Sequence, residues 1–171
     1  MSVEVAILFG AGAATAGWLY TARRQRTLFR KQHTFNALLR MSFNEQFENR
    51  FKKLVPYVRE GTFPNNNREI DDDILGMLNH YEFLAAGIRN GDIDELLLYD
   101  SEYGFILSLY EASQSYIERI RKARKFQDIY DHLDWLYKRW KGDPPGKIQQ
   151  AAEFMWGRPF HDWPPKLKKF T

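Results

Sequence analysis

Two patterns of hydrophobic and polar positions divide this chain. From Val5 to Ala22 eighteen consecutive residues carry no charge, and from Leu28 to Trp140 apolar residues recur at steps of three and four. The second pattern is helical, because such steps keep side chains on one face of a 3.6-residue turn. The first predicts one continuous helix. At about 1.5 Å per residue it spans roughly 27 Å, close to the hydrocarbon thickness of a thin bilayer.

Leu28, Phe35, Leu38 and Leu39 carry that helix on to Ser42. Ser42-Phe43-Asn44-Glu45 has the form of a capping box, predicting a new helix from about Phe43 with the apolar row Phe43, Phe47, Phe51, Leu54 and Val58, broken near its end by Pro56. Gly61 to Arg68, with Pro64 and three asparagines, reads as a loop. The next helix opens on Asp71, Asp72 and Asp73 and buries a stripe from Ile70 to Ile88. Adjacent helical aspartates point about 100° apart, so the triple favours the helix dipole over a shared cation.

Asn90-Gly91 ends that helix, and Asp92 with Glu95 supplies another capping-type start. Asp100 or Ser101 is read as the start of a long helix reaching Arg124, followed by an amphipathic helix from Phe126 to Trp140 that Gly142-Asp143-Pro144-Pro145-Gly146 terminates. No run alternates like a strand. The expected class is all-α: a single N-terminal transmembrane helix continuing into an irregular bundle of four or five helices. The expected parts are an anchor at 1–22, a basic juxtamembrane helix at 23–41, a helical domain at 42–141 and a short helix with a Pro-rich, aromatic and basic tail at 142–171.

Charge gives the anchor an orientation. Glu4 alone precedes the run, whereas Arg23, Arg24, Arg26, Arg30, Lys31 and Arg40 follow it without an acid. The positive-inside rule then places the amino terminus outside and the body in the cytoplasm at a bacterial inner membrane. Val5, Ile7, Leu8 and Phe9 would face hydrocarbon with Leu19, while Trp18 and Tyr20 would sit at the headgroups. The partner expected for Arg23, Arg24, Arg26, Arg30 and Lys31 is a bilayer with anionic headgroups. Gly10 with Ala14, and Ala13 with Gly17, fit a small-xxx-small pattern that offers a face for self-association. A cleaved signal peptide is disfavoured because the arginines lie on the wrong side of the run.

The net charge of +3 conceals an acidic middle: Met41 to Trp140 holds 13 basic against 18 acidic residues. That body opposes a polyanion, so nucleic acid is disfavoured as a partner of the arginine-rich neck. There is no cysteine, which excludes disulfides, thiol catalysis and cysteine-ligated metal. No cofactor motif is present.

Candidate chemistry is sparse. Glu82 follows the stripe residue Tyr81, so its carboxylate is expected at the edge of the core, pairing with an arginine or capping a neighbouring helix; Arg89 lies seven residues on, on the same side. His132 stands one turn after Asp128, a pair that would need a further ligand, such as Glu82 or His80, to hold a metal. Trp156, Phe160 and Trp163 occur among prolines in the tail, which is expected either to strap across the bundle or to engage a partner.

The stretch Leu78-Asn79-His80-Tyr81-Glu82-Phe83-Leu84-Ala85-Ala86-Gly87-Ile88-Arg89-Asn90-Gly91-Asp92-Ile93-Asp94-Glu95 resembles the core signature of the DUF4760 family, an uncharacterised group found in bacteria and their phages. The resemblance extends loosely from the basic neck, through Met41 to Phe47, to the helix ending near Arg124, and has no counterpart beyond Lys125. It implies a helical cytoplasmic domain, often with an amino-terminal anchor, and lends no catalytic residue. The expected function is a membrane-anchored binding or regulatory module with an unknown protein partner, with a phage or prophage origin fitting the resemblance. A tethered enzyme using Glu82 and His132, and a nucleic-acid binder using the neck, are the alternatives.

Overall fold

The computed structural model describes residues 3–64 and 67–146, with the side chains of residues 3–11 and 13 outside the description. Six helices run in chain order: α1 (Val3–Ser42), α2 (Glu45–Glu60), α3 (Arg68–Asn90), α4 (Glu95–Ala112), α5 (Gln114–Arg124) and α6 (Asp131–Gly142). No strand occurs among the described residues.

The core is built where the apolar rows of α2, α3, α4 and α6 meet. Leu54, Ile74, Met77, Leu78, Leu98, Leu133 and Leu136 are wholly buried there, with Trp140 sealing the end of α6. α3 is central, packing against α2, α4 and α6. Among the described side chains of α1, those drawn toward the bundle lie between Thr27 and Met41, and the helix packs against α2 and α4.

The expected membrane span is not supported. No helix among the described residues is long and apolar enough to cross a membrane, which contradicts the single-pass inner-membrane assignment. The physical reason lies in the makeup of Val5 to Ala22. Among its described side chains, Gly12 and Ala14 to Ala22, two glycines, three alanines and two threonines fill seven of ten positions, and each missing methylene forgoes about 0.8 kcal/mol of transfer free energy. Lack of charge had stood in for apolarity. The orientation by positive charge took that span as its premise.

Arg30 shows what part of the basic neck does instead. Its guanidinium Nη2 lies 3.8 Å from Asp94 Oδ2, and its backbone carbonyl accepts from Thr34 Oγ1 at 2.9 Å. Thr34 Oγ1 in turn accepts from the Asp94 amide at 2.7 Å. Asp94 also accepts from Leu97 N at 3.0 Å as the N-cap of α4. Thr34 and Asp94 are both 1% exposed, so this knot fastens α1 to the start of α4.

Several helix ends differ from the sequence reading. Asn44 caps α2 by accepting from Phe47 N at 3.1 Å, while Ser42 donates back to Leu38 O and prolongs α1. Asn67, ahead of the triple aspartate, caps α3. Asp71 pairs with Arg119 on α5 and Asp73 with Arg50 on α2, so the aspartates serve different neighbours. α2 continues through Pro56 to Gly61, whose left-handed φ of 73° closes it. Pro56 is exposed, and water can take the carbonyl of Lys52 that the missing amide leaves.

The long helix expected from Asp100 to Arg124 begins earlier, at Glu95, and breaks at Ser113 into α4 and α5. The last helix starts at Asp131 rather than Phe126, which lies exposed in the preceding turn. Left-handed Lys125 and Tyr130 bound that turn, and Arg121 holds it by donating twice to Ile129 O at 3.0 and 2.8 Å.

Candidate functional site

Glu82 and Arg89 meet His132, 50 and 43 positions further along the chain, at the seam between α3 and α6. The first turn of α6 begins after left-handed Tyr130, which supplies no side-chain cap. Glu82 provides one from α3: Oε1 accepts from His132 N at 3.2 Å and Oε2 from Leu133 N at 2.7 Å. A carboxylate here satisfies orphan amides and the positive end of the helix dipole together. Arg89 Nη1 stands 3.4 Å from His132 Nδ1, and its guanidinium lies 5.7 Å from the Trp135 ring centroid. Asp128 precedes α6 in the turn. Among the described residues no group of three potential ligands is arranged for a metal.

At the far end of α6, Glu95 accepts from Arg139 through both oxygens, at 2.5 and 2.9 Å, and from Trp140 Nε1 at 3.0 Å. α6 is thus clamped at its start by Glu82 and at its end by Glu95. The sequence reading named a helix cap as one of two roles for Glu82 without naming the helix, and missed the Glu95 clamp, whose only signal was a carboxylate in the first turn of a helix otherwise rich in leucine.

The opposite flank of α3 is open. Two adjoining depressions of about 480 and 470 Å³ lie between it and α1, sharing His33, Phe83 and Ile93 in their walls. Together they form one trough. Phe29 and Phe83 are each 71% exposed on its α1 and α3 sides. Phe29 stacks on His33 with centroids 6.3 Å apart and planes 2° from parallel. Arg26 lines one end and Arg40 the other, with Asp92 near the first.

His80 forms part of the trough wall, edge-on to Phe47 at 5.2 Å and to Tyr81 at 5.4 Å. Its Nε2 is buried without a hydrogen-bond partner, and burial pushes the imidazole below its ordinary pKa. Nearby, burial raises both Glu102 and the Tyr81 hydroxyl that donates to it at 3.0 Å.

The trough floor explains Gly87. A Cβ there would stand 2.6 Å from Ile93 Cγ1, because Asp92 N and Ile93 N both turn back to Gly87 O at 2.8 and 3.1 Å. The glycine admits the returning chain as it leaves α3.

Of the proposed anchor residues, Trp18, Leu19 and Tyr20 are exposed on α1. Val5, Ile7, Leu8 and Phe9 lie on its first turns with their side chains outside the description. Arg23, Arg24, Arg26 and Lys31 are exposed, and Arg30 is drawn inward. Trp156, Phe160 and Trp163 fall outside the described residues.

The family model described as Domain of unknown function (DUF4760) matches residues 8–140. The chain belongs to the DUF4760 family. No curated protein and no solved structure matches it. The DUF4760 match runs past Arg124 to take in almost all of α6, so it contains both partners of the Glu82 clamp and both walls of the trough.

Proposed function

We propose that this protein is a helical binding module whose α1–α3 trough receives an apolar, acidic segment of a partner protein. The observation that carries the reading is the pair Phe29 and Phe83, aromatic rings held mostly in solvent on the two walls of one depression. Such rings are costly to leave in water, and aromatic anchors supply much of the energy when a partner covers them. Arg26 and Arg40 at the trough ends favour carboxylates on that partner.

The enzyme alternative draws less support. Both Glu82 oxygens accept amides of α6, and this seam lies on the flank of α3 away from the trough. A polyanion is opposed by the acidic middle of the chain.

Selection of a random displayed peptide library on the full-length chain tests the proposal. Enriched peptides should combine acidic with aromatic or aliphatic residues. Their affinity should fall roughly tenfold or more, 1.4 kcal/mol per tenfold, with Phe83→Ser or Arg40→Glu and stay unchanged with Phe126→Ser. Failure to enrich any peptide, or enrichment indifferent to Phe83→Ser, removes the reading.

A further inference from the structure

The walls of the trough limit the kind of segment that can lie in it. Its α1 side runs from Arg26 to Met41 and its α3 side from His80 to Asn90. Both stretches are helical throughout, so their backbone amides are spent inside their own helices. The remaining lining residues are no freer. Asn44 N donates to Met41 O at 3.0 Å, Asp92 N and Ile93 N donate to Gly87 O at 2.8 and 3.1 Å, and Phe47 N donates to Asn44 Oδ1 at 3.1 Å.

Among the described residues the trough therefore offers a partner no free backbone donor. An extended segment pressed into it would bury its own carbonyls without the ladder partners that an open sheet edge supplies. A helix satisfies those groups internally and presents side chains alone.

The two depressions set a spacing. The α1 residues lining one run from Arg26 to His33, and those lining the other from His33 to Met41, so their centres lie roughly 11 Å apart along the helix. On a partner helix that is about seven residues, or two turns, which returns a side chain to the same face.

Charge then distinguishes the ends. Arg26 and Arg30 line the first depression together with Asp92, and Arg30 also stands 3.8 Å from Asp94. In the second depression Arg40 is the one residue of fixed charge among the described residues, and Glu45, beside Asn44, does not line it. A carboxylate is favoured there.

Given that the trough receives a partner segment, as proposed above, we infer that the segment is an amphipathic helix of about three turns. It places one apolar anchor in each depression, seven residues apart, and an acidic residue three or four positions beyond one anchor, over Arg40.

Two synthetic peptides, each about sixteen residues long and amphipathic by design, test this against the full-length chain. Both carry two phenylalanines seven positions apart; one has its glutamate four positions before the first ring, the other four positions after the second. At least one should bind, and the far-ultraviolet circular dichroism of the mixture should show more helix than the sum of its parts. Its affinity should fall roughly tenfold or more when the rings are moved to five positions apart, which turns one of them off the face, or when proline replaces a central residue and interrupts the helix. Lysine in place of the glutamate should weaken binding, and Arg40→Glu in the protein should restore it. Peptides selected from the random library separate the two levels of the account. If those peptides depend on Phe83 but gain no helix, tolerate a central proline or lack the seven-residue spacing, the helical inference is overturned while the trough remains the partner site. If neither designed nor selected peptides bind in a way that Phe83→Ser weakens, both are overturned.

Discussion

Glu82 on α3 caps a helix that begins 49 residues later, at Asp131: its Oε2 accepts from the Leu133 amide at 2.7 Å, and its Oε1 from the His132 amide at 3.2 Å. Glu82→Ala should therefore destabilise the fold by about 1–3 kcal/mol, the range for losing a cap whose amides are left partly buried. Glu82→Gln, which keeps one acceptor oxygen, should cost less. Denaturant unfolding gives the energies, and amide exchange should quicken first at His132 and Leu133. Equal stability of wild type and Glu82→Ala would mean that α6 does not depend on this carboxylate.

Thr34 joins α1 to α4 by accepting from the buried Asp94 amide at 2.7 Å. Thr34→Val keeps the shape and removes the acceptor, so it should cost about 1–3 kcal/mol. The expected signature is faster exchange of the Asp94 amide with the exchange in α6 unaltered. A neutral substitution would show that α1 is held by its apolar contacts alone.

Gly87 and Ile93 should be strongly coupled. Gly87→Ala places a methyl 2.6 Å from Ile93 Cγ1 and should cost about 1–3 kcal/mol by overpacking. In an Ile93→Ala background the same change should cost almost nothing, and a double-mutant cycle measures the difference. Additive costs would place the restriction on the backbone of α3 rather than on this contact.

His80 gives stability a pH dependence of known sign. Burial holds its folded-state pKa below the ordinary value of 6.5, so the unfolded chain binds the proton more readily. Its contribution is complete above about pH 6.5 and is lost as pH falls from there toward the folded pKa. Unfolding free energy should decline between pH 7 and 5.5, and His80→Phe should flatten that decline. An unchanged slope in the variant would assign it to other groups.

How much of this was legible in the sequence depended on the range of the interaction. The three- and four-residue steps gave the all-α class and the stripe of α3 because they are local. Glu82 could be placed at a core edge, with a helix cap among its expected roles, since it follows Tyr81 on that stripe. That the cap would serve α6 was not readable, because nothing near Glu82 names its partner.

Competing local signals displaced the helix ends. Ser42 with Glu45 looked like a cap, yet the serine hydroxyl found the Leu38 carbonyl and Asn44 took the role. The break at Ser113 carries neither glycine nor proline. In α1, charge alone was read as hydropathy, although glycine and alanine contribute little to it. Phe29 and Phe83 stand 54 positions apart in the chain, and only the packed structure shows them in one depression.

The trough is most directly tested by hydrogen exchange on the full-length chain, with and without a saturating selected peptide. Protection confined to residues 26–47 of α1 and α2 and 80–93 of α3 and the following turn is the predicted result. Protection centred on α5 or α6, with those two segments unchanged, would contradict it.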